Sequence, residues 1–310
     1  MSNLVSSESP IGTTVSTYQW CWQGQTLNIV YETAGIGAPV LLLPSFSTVS
    51  SRSEMSGLAN CLRSVHGSAM PTQFQVTTVD FPGFGDSTRS RLDYAPPLYH
   101  QFLRDFVRDI YATPAIVIAA GHAAGYAIDL AATVPNAVAK LVLVAPTWRG
   151  PLPTMARGQQ PWLKIVRALI RTPIVGQFLY QLNTTPSFLK FMYQRHVYVD
   201  ATKLTADFMS QKRQLTQQPG ARYGAGAFVT GGLDPYVDRS EAIAQLQSLD
   251  IPVLMAIGEN SPPKSKAEMI ALAEVANVVS CTLPGTLGLH EEYSIELFTE
   301  MMPFLFSDRK

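Results

Sequence analysis

Residues 115–125 read Ala115-Ile116-Val117-Ile118-Ala119-Ala120-Gly121-His122-Ala123-Ala124-Gly125. The first six form a continuous apolar run, the pattern of a strand covered on both faces. A glycine follows, and then a helical pattern continues through Leu130 and Ala131. A strand that turns directly into a helix is the repeating unit of a parallel sheet.

The same alternation extends both ways. Upstream, Tyr18–Trp22 and Leu27–Thr33 read as extended segments, with turn chemistry from Ala34 to Pro39. Val40–Leu43 and Phe74–Val79 are short apolar runs, and Pro97–Ile110 carries Leu98, Phe102, Phe106 and Ile110 at helical spacing. Downstream, Leu141–Ala145, Ile251–Ile257 and Val278–Leu283 read as strands. Ser265–Val275 and a closing stretch from about Glu291 to Phe306 read as helices. This predicts an α/β fold with a mostly parallel central sheet flanked by helices. Strands stop between residues 147 and 235, where helical patterns take over. The expected division is a core of residues 1–146 and 236–310 and a helical cap of 147–235, inserted after the sixth strand.

Composition narrows the function classes. At 310 residues and 46% hydrophobic content the chain can bury a large core. There are 23 basic and 23 acidic residues, which argues against wholesale binding of nucleic acid. The neutral total hides an asymmetry. Between Thr147 and Pro235 there are 11 basic and 3 acidic residues, a net charge of +8, against −8 for the rest. Three scattered cysteines, Cys21, Cys61 and Cys281, predict neither a disulfide framework nor a metal site, and read as buried small hydrophobes. The opening Met1–Pro10 has no basic and apolar leader pattern, and no run is long enough to span a bilayer. A cytoplasmic location is expected, with membrane association left open.

Four segments resemble the α/β-hydrolase superfamily, in its cap-bearing, haloalkane-dehalogenase- and esterase-like branch. Leu41-Leu42-Leu43-Pro44-Ser45-Phe46-Ser47 sits where that family has its oxyanion turn. Asp80-Phe81-Pro82-Gly83-Phe84-Gly85-Asp86-Ser87 resembles the turn after its fourth strand. Gly121-His122-Ala123-Ala124-Gly125 sits where it has the nucleophile elbow, and Pro252–Glu259 resembles its seventh strand. The order and spacing match along nearly the whole chain.

The resemblance implies a Ser-acid-His hydrolase, and the sequence departs from it at each catalytic position. The elbow pattern is Gly-x-Ser-x-Gly, whose glycines permit the sharp turn, but the middle residue here is Ala123. Loss of such a nucleophile removes on the order of 10⁶ in rate in a serine hydrolase. The acid position, three residues after Gly258, holds Ser261, with Glu259 as a neighbouring alternative. Counting back from Glu292 and from Phe304 puts the histidine position at Leu287, with His290 one helical turn later as the alternative, brought into the site by a slipped loop. A single engineered serine-to-alanine change would leave the acid and histidine in place, so three absences point to native degeneracy.

His122 reads either as packed support for the turn or as a direct chemical group. Backbone donors survive side-chain loss, and the resemblance assigns an oxyanion hole to the N–H groups of Phe46 and Ala124. Ala124 would also open a helix, whose positive end suits a carbonyl or carboxylate. Ser45, Ser47, Trp148 and Trp162 are expected to line the pocket.

The segment Pro161–Arg171 places Lys164, Arg167 and Arg171 on one helical face and Trp162, Leu163, Ile165, Val166, Leu169 and Ile170 on the rest. Its apolar side would pack on the body and its charges face water, or the helix would lie on an anionic membrane surface, or it would recognise an acidic, lipophilic ligand. The leading expectation is a pseudoenzyme that binds a lipophilic, carbonyl-containing small molecule under a basic cap, without a cofactor, metal or nucleic acid. The alternatives are an active enzyme using other groups, with an esterase-, lyase- or dehalogenase-like reaction, and a peripheral membrane adaptor.

Overall fold

In a computed structural model, residues 9–64 and 73–307 are described. Met1–Glu8, most of the stretch read for a leader, lie outside the described residues.

The chain opens with β1 (Val15–Trp22), β2 (Gln25–Ala34) and β3 (Ala38–Leu43). A 3₁₀ turn (Arg52–Met55) and α1 (Ser56–Arg63) lead to β4 (Phe74–Val79). Then follow α2 (Pro96–Ile110), β5 (Ala115–Ala120), α3 (Ala123–Thr133) and β6 (Val138–Val144). Next comes a purely helical run: α4 (Pro151–Met155), α5 (Pro161–Ile170), α6 (Val175–Leu182), α7 (Pro186–Met192), α8 (Ala206–Gln217) and α9 (Ala221–Val229). The chain then returns through α10 (Arg239–Gln247), β7 (Val253–Gly258), α11 (Pro263–Ala273), β8 (Val278–Leu283), α12 (Leu289–Glu292) and α13 (Ser294–Phe306).

The eight strands make one sheet in the order β1-β2-β4-β3-β5-β6-β7-β8. Only β1–β2 and β2–β4 pair antiparallel, and every pair from β4 to β8 is parallel. β5 and β7 are buried at every residue, as their unbroken apolar runs require of strands with helices on both faces. Each fully buried Leu, Ile or Val contributes roughly 1.5–3 kcal/mol, so this central slab is the rigid platform for the turns at its carboxyl end.

Several boundaries move by one to three residues from the sequence reading, and two of the differences have a visible cause. β6 begins at Val138 because Lys140 fits inside it: its buried ammonium donates to the carbonyls of Phe304, Leu305 and Ser307 at the end of α13. The closing helix breaks at Tyr293, whose ψ of 41° lies outside the helical range. The cysteines also differ from expectation. Cys21 is exposed on the edge strand β1, and Cys61 and Cys281 are half-buried.

Behind β3 the 3₁₀ turn carries a buried guanidinium. Arg52 reaches Glu32 on β2 at 2.6 Å, Asp80 after β4 at 2.5 Å and Asp86 at 2.6 Å. Asp80 also accepts the backbone N–H of Asp86 at 2.9 Å, which folds the Asp80–Ser87 turn against the sheet. Burial pushes the Asp80 carboxyl above its ordinary value despite Arg52.

Candidate functional site

The turn after β5 differs in detail from the expected elbow. The left-handed residue is Gly121, at φ +51°. His122 follows in right-handed helical geometry, and Ala123 is already the first residue of α3, fully buried. The sharp bend is therefore made two residues before Ala123. A side chain at 121 would point at Ser45, with its Cβ 3.0 Å from the Ser45 Cβ. Gly125 is needed for another reason: a Cβ there would meet the Pro235 ring at 2.5 Å. The first glycine serves the turn, and the second serves the close approach of the returning chain.

His122 grips that return. Its Nε2 lies 2.6 Å from the carbonyl of Leu233; a carbonyl only accepts, so Nε2 carries the proton. Tyr126 donates to the same carbonyl at 2.6 Å. Asp234 lies 3.7 Å from the imidazole and accepts from the Gly150 N–H and the Gln159 amide. Burial lowers the His122 pKa below its ordinary value and raises that of Asp234. Nδ1 of His122 is buried and without a partner among the described residues.

The two oxyanion candidates are buried. Phe46 stacks on Phe81 and meets Phe84, Tyr99 and Tyr126 edge-on or tilted. The N–H of Ala124 is turned to the carbonyl of Gly121 at 3.3 Å. Trp148 is buried beside the turn, since the Thr147 N–H donates to the Gly121 carbonyl, and its indole N–H has no partner among the described residues. Ser47 accepts the N–H of Val49 at 3.1 Å and stays in its own loop. Trp162, expected as pocket lining, is exposed on α5, because that helix turns Leu163 rather than its tryptophan inward.

The acid and histidine positions lie on neighbouring loops, where a Cβ on Gly258 would meet both the Ser261 hydroxyl and the Thr286 carbonyl at 2.7 Å, but they hold neither an acid nor an imidazole. Ser261 is buried under the end of β7, its hydroxyl without a partner among the described residues. Glu259 is exposed; its N–H continues the ladder to Leu283. Leu287 is half-buried, and its loop lies under the helical run: the N–H of Leu287 donates to His196 and that of Gly288 to Val197. The Glu292 carboxylate fastens the 196–200 segment by accepting the N–H groups of Val199 and Asp200.

His290 is drawn elsewhere. It is buried in α12, with Nε2 3.3 Å from Glu54 Oε2 on the 3₁₀ turn. The Ser45 hydroxyl donates to the same oxygen at 3.0 Å. The other Glu54 oxygen lies 3.9 Å from the Lys212 ammonium of α8, which also pairs with Glu291 at 2.7 Å. Burial would lower the Lys212 pKa, but Glu291 and Glu54 more than offset it and hold it above its ordinary value. Glu54 and Lys212 were not singled out in the sequence. Nothing local marks them, because the partners lie 236 and 158 positions from Glu54 along the chain.

The sequence profile of the alpha/beta hydrolase family matches residues 40–280. No curated protein matches the chain by sequence. Solved structures match over nearly the whole length. A bromoperoxidase from Bacillus anthracis is similar at TM-score 0.70 and 15% identity, covering 95% of this chain and 100% of its own. A thermophilic esterase from Thermogutta terrifontis follows at TM-score 0.68 and 16% identity, covering 94% and 98%. A hydrolase from Pseudomonas aeruginosa gives TM-score 0.70 and 16% identity, covering 94% and 98%. At these identities the likeness is one of fold. With the profile spanning most of the sheet and its turns, the chain belongs to the alpha/beta hydrolase family.

Proposed function

We propose that this chain is a non-catalytic member of its family that holds a lipophilic, carbonyl-bearing small molecule at the turn after β5, beneath residues 147–235 acting as a cap. The observation that carries this reading is the turn itself. Its left-handed residue, the one a nucleophile would occupy, is Gly121, and the following motif residue is Ala123. Neither has a group that can attack a carbonyl. The acid and histidine positions, Ser261 and Leu287, offer no base to activate one.

The binding half of the reading rests on the surroundings. Phe46, Phe81, Phe84 and Tyr126 give an apolar setting, while the indole N–H of Trp148 and a ring nitrogen of His122 are buried and unpartnered among the described residues. Buried polar atoms of this kind normally find a partner, and a ligand carbonyl would accept from the indole.

A second reading has a specific observation behind it. Ser45, Glu54 and His290 form a hydrogen-bonded chain beside the turn, which places the Ser45 hydroxyl to act as a nucleophile. Glu54 would be its base, and that carboxylate already faces Lys212 and His290.

The test pairs two measurements. Hydrolysis of p-nitrophenyl esters should stay far below the common turnover of ~10 s⁻¹. Thermal unfolding followed across a series of straight-chain fatty acids and methyl ketones should show stabilisation that grows with chain length. Ordinary ester turnover contradicts the non-catalytic half; no stabilisation by any member of the series contradicts the binding half.

A further inference from the structure

We infer that the outer face of α5 and α6 is a docking surface for an anionic lipid bilayer. The two helices pack on each other, with Gly176 allowing the start of α6 to close on the backbone carbonyls of Leu169 and Ile170. Both rest on α9, which lies beneath them. Leu163 and Tyr180 face that side and are buried, and a Cβ on Gly226 of α9 would meet the Ile170 side chain at 2.7 Å.

Two of the three cations expected to point to water, Arg167 and Arg171, are turned in, while Lys164 stays exposed. Arg167 donates to the Thr230 hydroxyl and carbonyl, and Arg171 donates to the Leu92 carbonyl. What points out beside Lys164 is apolar. On α5 the residues at i, i+3 and i+7 are Trp162, Ile165 and Leu169, at 45%, 70% and 41% exposure. On α6 the same spacing gives Val175, Phe178 and Leu182, at 49%, 60% and 52%, with Ile174 beside them. Outward apolar stripes on two adjacent helices are unusual on the surface of a soluble monomer and mark an interaction site.

Charge decides the occupant. From Thr147 to Val199 there are seven basic residues and no acidic one. Lys164, Lys190 and Arg195 in this stretch are exposed. A symmetric contact between two copies would set like charges against each other, and the carboxylate at the end of α5, Asp93, already faces Arg171 at 3.4 Å. An anionic bilayer supplies the opposite charge, and an apolar layer a few ångströms below it for tryptophan and phenylalanine. No described helix is long and apolar enough to cross a membrane, so the contact lies in the interface plane.

The test is co-sedimentation of the full chain with vesicles of phosphatidylcholine, with and without phosphatidylglycerol, at low and high salt. The expected result is binding to the anionic vesicles that weakens with salt. Ile165→Glu and Phe178→Glu should each reduce it at least about tenfold. Lys164→Glu should reduce it by about fivefold or more, the effect of one basic charge near such a surface. Val279→Glu, at an exposed apolar residue of β8, should leave it unchanged. Absence of binding at low salt overturns the inference, as does binding that Ile165→Glu and Phe178→Glu do not alter. A concentration-dependent dimer in sedimentation equilibrium, lost in those variants and accompanied by no vesicle binding, would assign the face to a second copy instead.

Discussion

His290 Nε2 lies 3.3 Å from Glu54 Oε2, and the same carboxylate oxygen accepts the Ser45 hydroxyl. An imidazole, a carboxylate and a serine are thus joined in the core, with the carboxylate in the middle rather than at the end. In a working triad the histidine stands between the other two and carries the proton from the nucleophile to the leaving group. Here Glu54 takes that place, and Lys212 from the helical run closes on its other side. The arrangement ties α8, α12 and the 3₁₀ turn together through buried charge.

Removing one member of that cluster should be costly. Lys212→Met leaves Glu54 and Glu291 facing each other without their cation, and loss of one partner of a buried pair costs about 3–5 kcal/mol. Adding Glu291→Gln to Lys212→Met should recover part of the loss, because the two residues are in direct contact. Urea denaturation of the three proteins measures both numbers.

The turn at Gly121 should resist any side chain. At φ +51° an L-residue pays roughly 1–2 kcal/mol in backbone strain, and its Cβ would press on Ser45. Gly121→Ala is expected to lose about that much in urea denaturation. Gly121→Ser should lose a similar amount and gain no ester turnover, because no base stands at Ser261 or Leu287 to activate the new hydroxyl.

Acid should weaken the grip of His122 on the returning chain. Burial holds the imidazole pKa below its ordinary 6.5. The folded state therefore binds fewer protons than the unfolded chain once pH drops below that value. The contribution is fully present above pH 6.5 and is lost as pH falls from there through the folded pKa. Asp234 acts in the opposite sense: burial raises its carboxyl, so the folded state holds its proton more readily. His122→Gln keeps an N–H donor for the Leu233 carbonyl but removes the titrating ring. The stability advantage of the wild type over this variant should shrink between about pH 7.5 and about pH 5.5, measured by urea denaturation at each pH.

The sheet was legible because its central strands, β3, β5 and β7, are short apolar runs bounded by turn residues, and helical patterns alternate with them. The motif order around Gly121 was legible too, though the bend falls on Gly121 rather than lifting Ala123. That shift depends on backbone angles which the residue pattern does not encode. Glu54 was invisible for a different reason. Its meaning comes from Lys212 and His290, which only the folded chain brings near it. The α5 face was misjudged because a helix with one apolar and one basic side has two ways to lie on a body. The pattern Trp162, Ile165, Leu169 states the spacing of the stripe but not the side on which α9 stands.

The central claim, that the site holds no competent nucleophile, is tested most directly by treating the purified protein with a fluorophosphonate and weighing the intact chain. The account predicts an unmodified mass. A stoichiometric adduct, mapped by peptide analysis to Ser45 or to any other serine of the site, would contradict it.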